Sequence, residues 1–152
     1  MTRPLTIGLL VGLLAPAILT AQTPEETAVL AVVTRLFDGM RAADSTMVRS
    51  TLHPSVRLVS VGEREGVPAL ASDPIEGFVA AVGSPHAEIW DERIGAAEVR
   101  IDGRLATVWT KYSFFLGEEL SHCGVDAFQL FKSEDGWKIF QIADTRRREG
   151  CE

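Results

Sequence analysis

Basic charge, cysteine and histidine are all scarce in this 152-residue sequence, and the shortages count against nucleic-acid binding and against a zinc site. Lys and Arg number 15 against 21 Asp and Glu, a formal net charge of −6. The chain therefore lacks the positive field that draws a protein to nucleic acid. Its three histidines, His53, His86 and His122, and its two cysteines, Cys123 and Cys151, follow no zinc-site spacing. No metal is expected, and nothing in the sequence asks for a cofactor. With 13 Gly and 7 Pro there is no low-complexity tract. What remains, 46% hydrophobic and 24% charged residues, describes one ordinary globular domain.

The apolar fraction is inflated by the first 21 residues. Thr2 and Arg3 give a positive start, an apolar run extends from Leu5 to Leu19, and Leu19-Thr20-Ala21 offers a small residue before Gln22. This reads as a secretory signal peptide over residues 1–21, followed by a single domain over 22–152. The run is short for a membrane span and lacks a basic stop-transfer block; an uncleaved anchor is the alternative. Export to the periplasm or the exterior is expected, with no membrane attachment after cleavage. Removing Arg3 with the signal leaves 14 basic and 21 acidic residues, a net charge of −7.

An oxidising compartment favours pairing Cys123 with Cys151. Such a disulfide would stabilise the domain by about 3–4 kcal/mol on the chain-entropy model. The alternative, a nucleophilic Cys123 beside His122, needs a reduced thiol and a base held by a third group. Neighbouring strand residues point to opposite faces, which disfavours it.

Hydrophobic periodicity divides the chain into a helical front and a stranded back. Thr23-Pro24-Glu25-Glu26 is a capped helix start, and Val29, Val32, Val33, Leu36, Phe37 and Met40 then form one apolar face. Asp44 caps a second short helix ended by Pro54. Val56 to Val61 alternates as a strand, Gly62 to Ser72 reads as a polar loop, and Asp73 caps a third helix containing Ile75, Phe78, Val79 and Val82. From Ala87 the period becomes two. Strands are predicted over Ala87 to Ile101, Leu105 to Leu116, Ser121 to Lys132 and Trp137 to Arg147, joined by hairpin turns at Asp102-Gly103, Gly117-Glu118 and Glu134-Asp135-Gly136. Three helices against a long, bent antiparallel sheet make an α+β layer fold with a pocket between the layers.

Capped helix, short helix ending in His53-Pro54, strand, helix after Asp73-Pro74, then a meander closing with Phe128-Gln129-Leu130-Phe131-Lys132 and Asp135-Gly136-Trp137-Lys138-Ile139: this order resembles the nuclear transport factor 2-like superfamily, nearest its SnoaL-like and lumazine-binding groups. The resemblance spans Pro24 to about Arg148. It implies a cone-shaped curved antiparallel sheet covered by three N-terminal helices, a deep internal pocket and dimerisation through the sheet. It leaves function open, because the superfamily holds isomerases, cyclases, dehydratases, epoxide hydrolases and binding modules.

Candidate site residues follow from strand phase. A tight turn after Lys132 sets Lys132 opposite Trp137, Phe128 opposite Gln141, Asp126 opposite Ala143 and Cys123 opposite Arg146. On that phase His122, Asp126, Phe128 and Gln141 share one face, and Cys123, Asp144 and Arg146 the other. Asp126, among apolar neighbours, is a candidate general acid or base, with His122 and Tyr112 as candidate catalytic partners. Trp109, Phe128, Gln141, Asp144 and Arg146 are candidate ligand contacts. An isomerase-type site needs Tyr112, Asp126 and Asp144 together, and a hydrolase-type site needs Asp126, Arg146 and Asp144; the expected phase splits both sets. The sequence therefore reads first as an exported domain that binds a small hydrophobic molecule in an apolar pocket, as a homodimer. The second reading is an acid/base enzyme acting on a small carbonyl or epoxide, and the third a sheet face serving only a protein partner.

Overall fold

A computed structural model describes residues 22–151. The signal peptide read over 1–21 lies outside the described residues. Helix α1 runs Pro24–Arg41. Thr23 accepts the Glu26 amide hydrogen bond while the Glu26 side chain accepts that of Thr23, so both ends of a capping box are made. The α1 face carrying Val29, Val33, Leu36, Phe37 and Met40 is buried. Helix α2, Ser45–Thr51, is capped by Asp44 through the Met47 amide. Helix α3 is Ile75–Val82, and Pro74, not the expected Asp73, occupies its N-cap position, with no side-chain cap.

Six strands follow or interleave: β1 Leu52–Arg64, β2 Val67–Asp73, β3 Trp90–Asp102, β4 Leu105–Leu116, β5 Glu119–Ser133 and β6 Gly136–Arg147. They form one sheet in the order β2-β1-β6-β5-β4-β3. The sheet is mixed, not wholly antiparallel as expected, because β1 lies parallel to β6 while every other pair is antiparallel. The chain leaves β1, makes β2, α3 and the meander, and returns beside β1 in the same direction. A second correction concerns Gly62 to Ser72, read as a loop. It is the tip of the β1–β2 hairpin, with Arg64 paired to Val67. Glu65 and Gly66, with φ of 54° and 76°, make the two-residue turn whose twist matches its flanking strands. No apolar/polar alternation advertised that hairpin: β2 carries Val67, Ala69, Leu70 and Ala71 in an almost unbroken run, and nearly all of it is exposed.

One apolar cluster joins the helices to the sheet. Val29, Val33, Leu36, Phe37 and Met40 of α1 and Val79 and Val82 of α3 pack with Val108, Phe128, Leu130, Ile139 and Ile142. Phe37 meets Phe128 edge to face, centroids 6.0 Å apart. Trp137 is buried, and its indole Nε1 donates to Glu25 at 2.8 Å, tying the start of α1 to β6. Gly95 sits in an irregularity between Ile94 and Ala97, where the long β3 bends.

Candidate functional site

The β5–β6 hairpin begins in the expected register, with Lys132 opposite Trp137 and Leu130 opposite Ile139. Between Leu130 and Gln129 the ladder then shifts: β6 inserts one extra residue, and the next pair is Gln129 with Gln141. A bulge of one residue transfers everything beyond it to the other face. Asp126 therefore stands opposite Asp144 rather than Ala143, Phe128 opposite Ile142 rather than Gln141, and Cys123 opposite Arg147 rather than Arg146. Asp144 and Arg146, expected on the far face, join Asp126, His122 and Tyr112 around one cavity.

That cavity has a volume of about 80 Å³ and is lined on one side by Leu36, Phe37 and Met40 of α1, with Phe78 of α3, and on the other by sheet residues. The sheet contributes Glu92, Tyr112, His122, Asp126, Asp144 and Arg146. Such a space holds about two or three waters and is smaller than a typical drug-sized pocket. Larger depressions exist, such as one of about 520 Å³ between α2 and α3. Its charged pair, Arg49 with Glu76, is exposed, so it offers no desolvated chemistry.

Within the cavity two carboxyl groups face each other. Asp126 is 3% exposed, and its Oδ2 has no hydrogen-bond partner. Burial pushes its pKa up to about 7; the charge of Asp144 adds to that rise, while the Glu92 hydrogen bond and Arg146 oppose it. Part of the Glu92 side chain reaches solvent, but its carboxyl is desolvated and is held protonated well above the usual range. Burial is the main cause, followed by the charge of Asp126 and the hydrogen bond to it. The pair thus retains a proton near neutrality. Glu92 escaped the sequence reading. Its signal was the alternation Trp90, Glu92, Ile94, a carboxylate at the centre of an otherwise apolar strand face.

Asp144 is differently satisfied. Ser60 Oγ on β1 donates to its Oδ1 at 2.5 Å, and Arg146 Nε donates to its Oδ2 at 2.6 Å. Tyr112 is also buried, and its hydroxyl lies 3.0 Å from the Thr145 carbonyl oxygen and 3.5 Å from Asp144 Oδ2. Gly124 makes this reach possible: a Cβ there would fall 1.8 Å from the Thr145 carbonyl oxygen and 2.8 Å from the Tyr112 ring. Burial and the surrounding carboxylates, Asp144 first among them, raise the Tyr112 pKa far above that of a free phenol. His122 stacks against Phe114 at 4.9 Å and meets the Tyr112 ring at 5.7 Å. Burial, and then Arg146, lower its pKa, which favours the neutral imidazole.

Two of the expected ligand contacts lie elsewhere. Trp109 is 57% exposed and lines a separate groove with Thr107 and Gln129. Gln141 pairs with that same Gln129 and with Arg57, away from the cavity. Phe128 is 1% exposed and does line the cavity. Cys123 and Cys151 stand at disulfide distance, their sulfurs 2.15 Å and their Cα atoms 5.6 Å apart. A free nucleophilic Cys123 is therefore not what the structure holds. Among the described residues no group of acidic, histidine or cysteine side chains could hold a metal ion, and no helix is long and apolar enough to cross a membrane.

The same architecture recurs in solved structures. A nuclear transport factor 2-like (NTF2-like) protein of unknown function from Shewanella baltica superposes with a TM-score of 0.64 at 19% identity, covering 86% of this chain and 99% of its own. One with a cystatin-like fold from Novosphingobium aromaticivorans gives 0.67 at 13% identity, covering 84% of each chain. A "putative dehydratase" of the NTF2-like family from Streptomyces avermitilis gives 0.63 at 16% identity, covering 80% of this chain and 95% of its own. At these identities the likeness establishes the fold. No curated protein matches the sequence. The family described as "Putative lumazine-binding" matches residues 24–142, and with its profile over most of the sequence and the NTF2-like architecture around it, the chain belongs to that family, within the NTF2-like superfamily.

Proposed function

We propose that this protein is an exported small-molecule enzyme that performs acid/base chemistry on a small, neutral, largely apolar molecule bearing a carbonyl or epoxide oxygen. The observation that carries this reading is the Glu92–Asp126 pair: two desolvated carboxyl groups retaining a proton near neutrality, one with an unpartnered oxygen, in a cavity whose helix side is apolar and whose sheet side also carries Tyr112, His122, Asp144 and Arg146. A general base works best when it titrates near the working pH. Asp126, once ionised, takes a proton from the substrate, and Glu92, still protonated, supplies one to the oxygen where charge develops. Neutral His122 and the rings of Phe37 and Phe128 exclude water. The size of the cavity restricts the substrate to a small molecule unless Phe37, Met40 and Phe78 swing aside.

A panel of small carbonyl and epoxide substrates tests this with wild type and Asp126→Asn. Turnover by the wild type, with kcat lowered about 10²–10⁴-fold in the variant and substrate binding retained, is expected. No turnover of any member, or turnover untouched by the substitution, refutes it. The second reading is binding without chemistry, supported by the family description; it predicts a ligand retained in native mass spectrometry and no turnover.

Export is supported by the apolar leader and by the cysteine pair at disulfide distance. N-terminal sequencing of the protein from its own host should begin at Gln22. The sheet face carrying exposed Trp109, Leu105 and Phe131 supports a homodimer, which sedimentation equilibrium checks.

A further inference from the structure

Four polar residues stand in register across the middle of the sheet, one on each of four adjacent strands. Ser60 of β1 pairs with Asp144 of β6, Asp144 with Asp126 of β5, and Asp126 with Thr110 of β4. They are not equivalent. Thr110 turns its hydroxyl to the Lys111 carbonyl at 3.0 Å and offers nothing to Asp126. Asp144 has both oxygens occupied, by Ser60 and by Arg146 two residues further along its own strand. Asp126 Oδ2 has no partner. Two carboxyl groups directly opposite each other on neighbouring strands repel once both are ionised, and here only Asp144 is matched by a cation.

We propose that Asp144 and Arg146 form a locked carboxylate–guanidinium pair, pinned by Ser60, that positions the field acting on Asp126. The pair lies at the polar end of the cavity, and Tyr112, whose hydroxyl is shared between the Thr145 carbonyl and Asp144, braces it. The titratable and charged groups facing Asp126 are Glu92 from β3, Tyr112 from β4, His122 from its own strand, and Asp144 and Arg146 from β6. Helices α1 and α3 bring only apolar side chains. Of these groups, Asp144 disfavours ionisation of Asp126 and Arg146 favours it. The two halves of one ion pair thus pull in opposite directions, so removing either unbalances the site with a definite sign.

This proposal rests on the acid/base reading of the cavity, but its test does not need turnover. Asp126 is titrated through its side-chain carboxyl carbon by NMR in the full oxidised protein, as wild type, Asp144→Asn and Arg146→Gln. Asp144→Asn removes the opposing negative charge and leaves Arg146 unmatched, so the midpoint should fall by about one pH unit; Arg146→Gln should raise it by about as much. Shifts in the same direction, or no shift in either variant, overturn the proposal. Should Asp144→Asn fail to fold, Arg146→Gln decides alone, since the Arg146 side chain is 56% exposed and its loss is tolerable: a rise supports the proposal and an unchanged midpoint overturns it. Opposite shifts without turnover of any substrate would refute the enzymatic reading and leave this one standing.

Discussion

Tyr112 can cross its neighbouring strand only because residue 124 has no side chain. A methyl at Gly124 would overlap the Thr145 carbonyl and press on the Tyr112 ring. Gly124→Ala is therefore expected to cost about 1–3 kcal/mol by overpacking, read as a lower denaturation midpoint, and to release Tyr112 from Thr145. Tyr112→Phe keeps the ring over Gly124 and should cost less. At this scale the sequence was informative about residue types. Asp126, His122, Tyr112, Asp144 and Arg146 all stood out as chemistry-bearing groups in strands, and all five reach one cavity. Trp109 and Gln141 did not, because a strand residue belongs to one face or the other and neither lies on the face that α1 covers. Glu92 stands among the charges of Trp90-Asp91-Glu92-Arg93, and its place between the half-buried Trp90 and Ile94 on one strand face distinguishes it from the exposed Arg93.

Hairpins decide which residues meet, and their turns were easier to read than their irregularities. Glycine and aspartate mark the β3–β4 and β5–β6 turns, so four strands were legible in order and nearly in length. The inserted residue in β6 carries no comparable mark: Ile139, Phe140, Gln141 and Ile142 read as plain alternation until the ladder slips beside Leu130. That slip reverses the conclusion drawn from strand phase, since it unites Asp126 with Asp144 and Arg146. The parallel contact of β1 with β6 was equally hidden, because parallel partners share no turn. Beyond Arg147 the chain folds back through Gly150, at φ 64°, to bring Cys151 to Cys123. Cys151→Ser should lower stability by about 3–4 kcal/mol, measured by urea denaturation of the exported protein. Equal midpoints for variant and wild type would mean that the pair does not form a staple.

For the molecule as a whole, a buried carboxyl pair makes stability depend on pH. The folded protein holds the Asp126 proton up to about pH 7, whereas the unfolded chain loses it near the ordinary aspartate value of about 4. Between those values the folded state binds the extra proton, so stability is greatest at the acid end of this window and falls as pH rises through it. Glu92 is shifted the same way. Asp126→Asn should therefore differ little from wild type at pH 4 and be the more stable protein at pH 8, as urea midpoints at the two values would register. A wild type whose stability rises steadily over this range would contradict that expectation. The acid/base reading depends on one physical condition, that the Glu92–Asp126 pair keeps a proton at the pH where ordinary carboxyls have long lost theirs. Side-chain carboxyl NMR of the wild-type protein tests it directly: Asp126 should titrate near pH 7 with Glu92 still protonated, whereas both groups fully ionised by pH 5 would contradict the account.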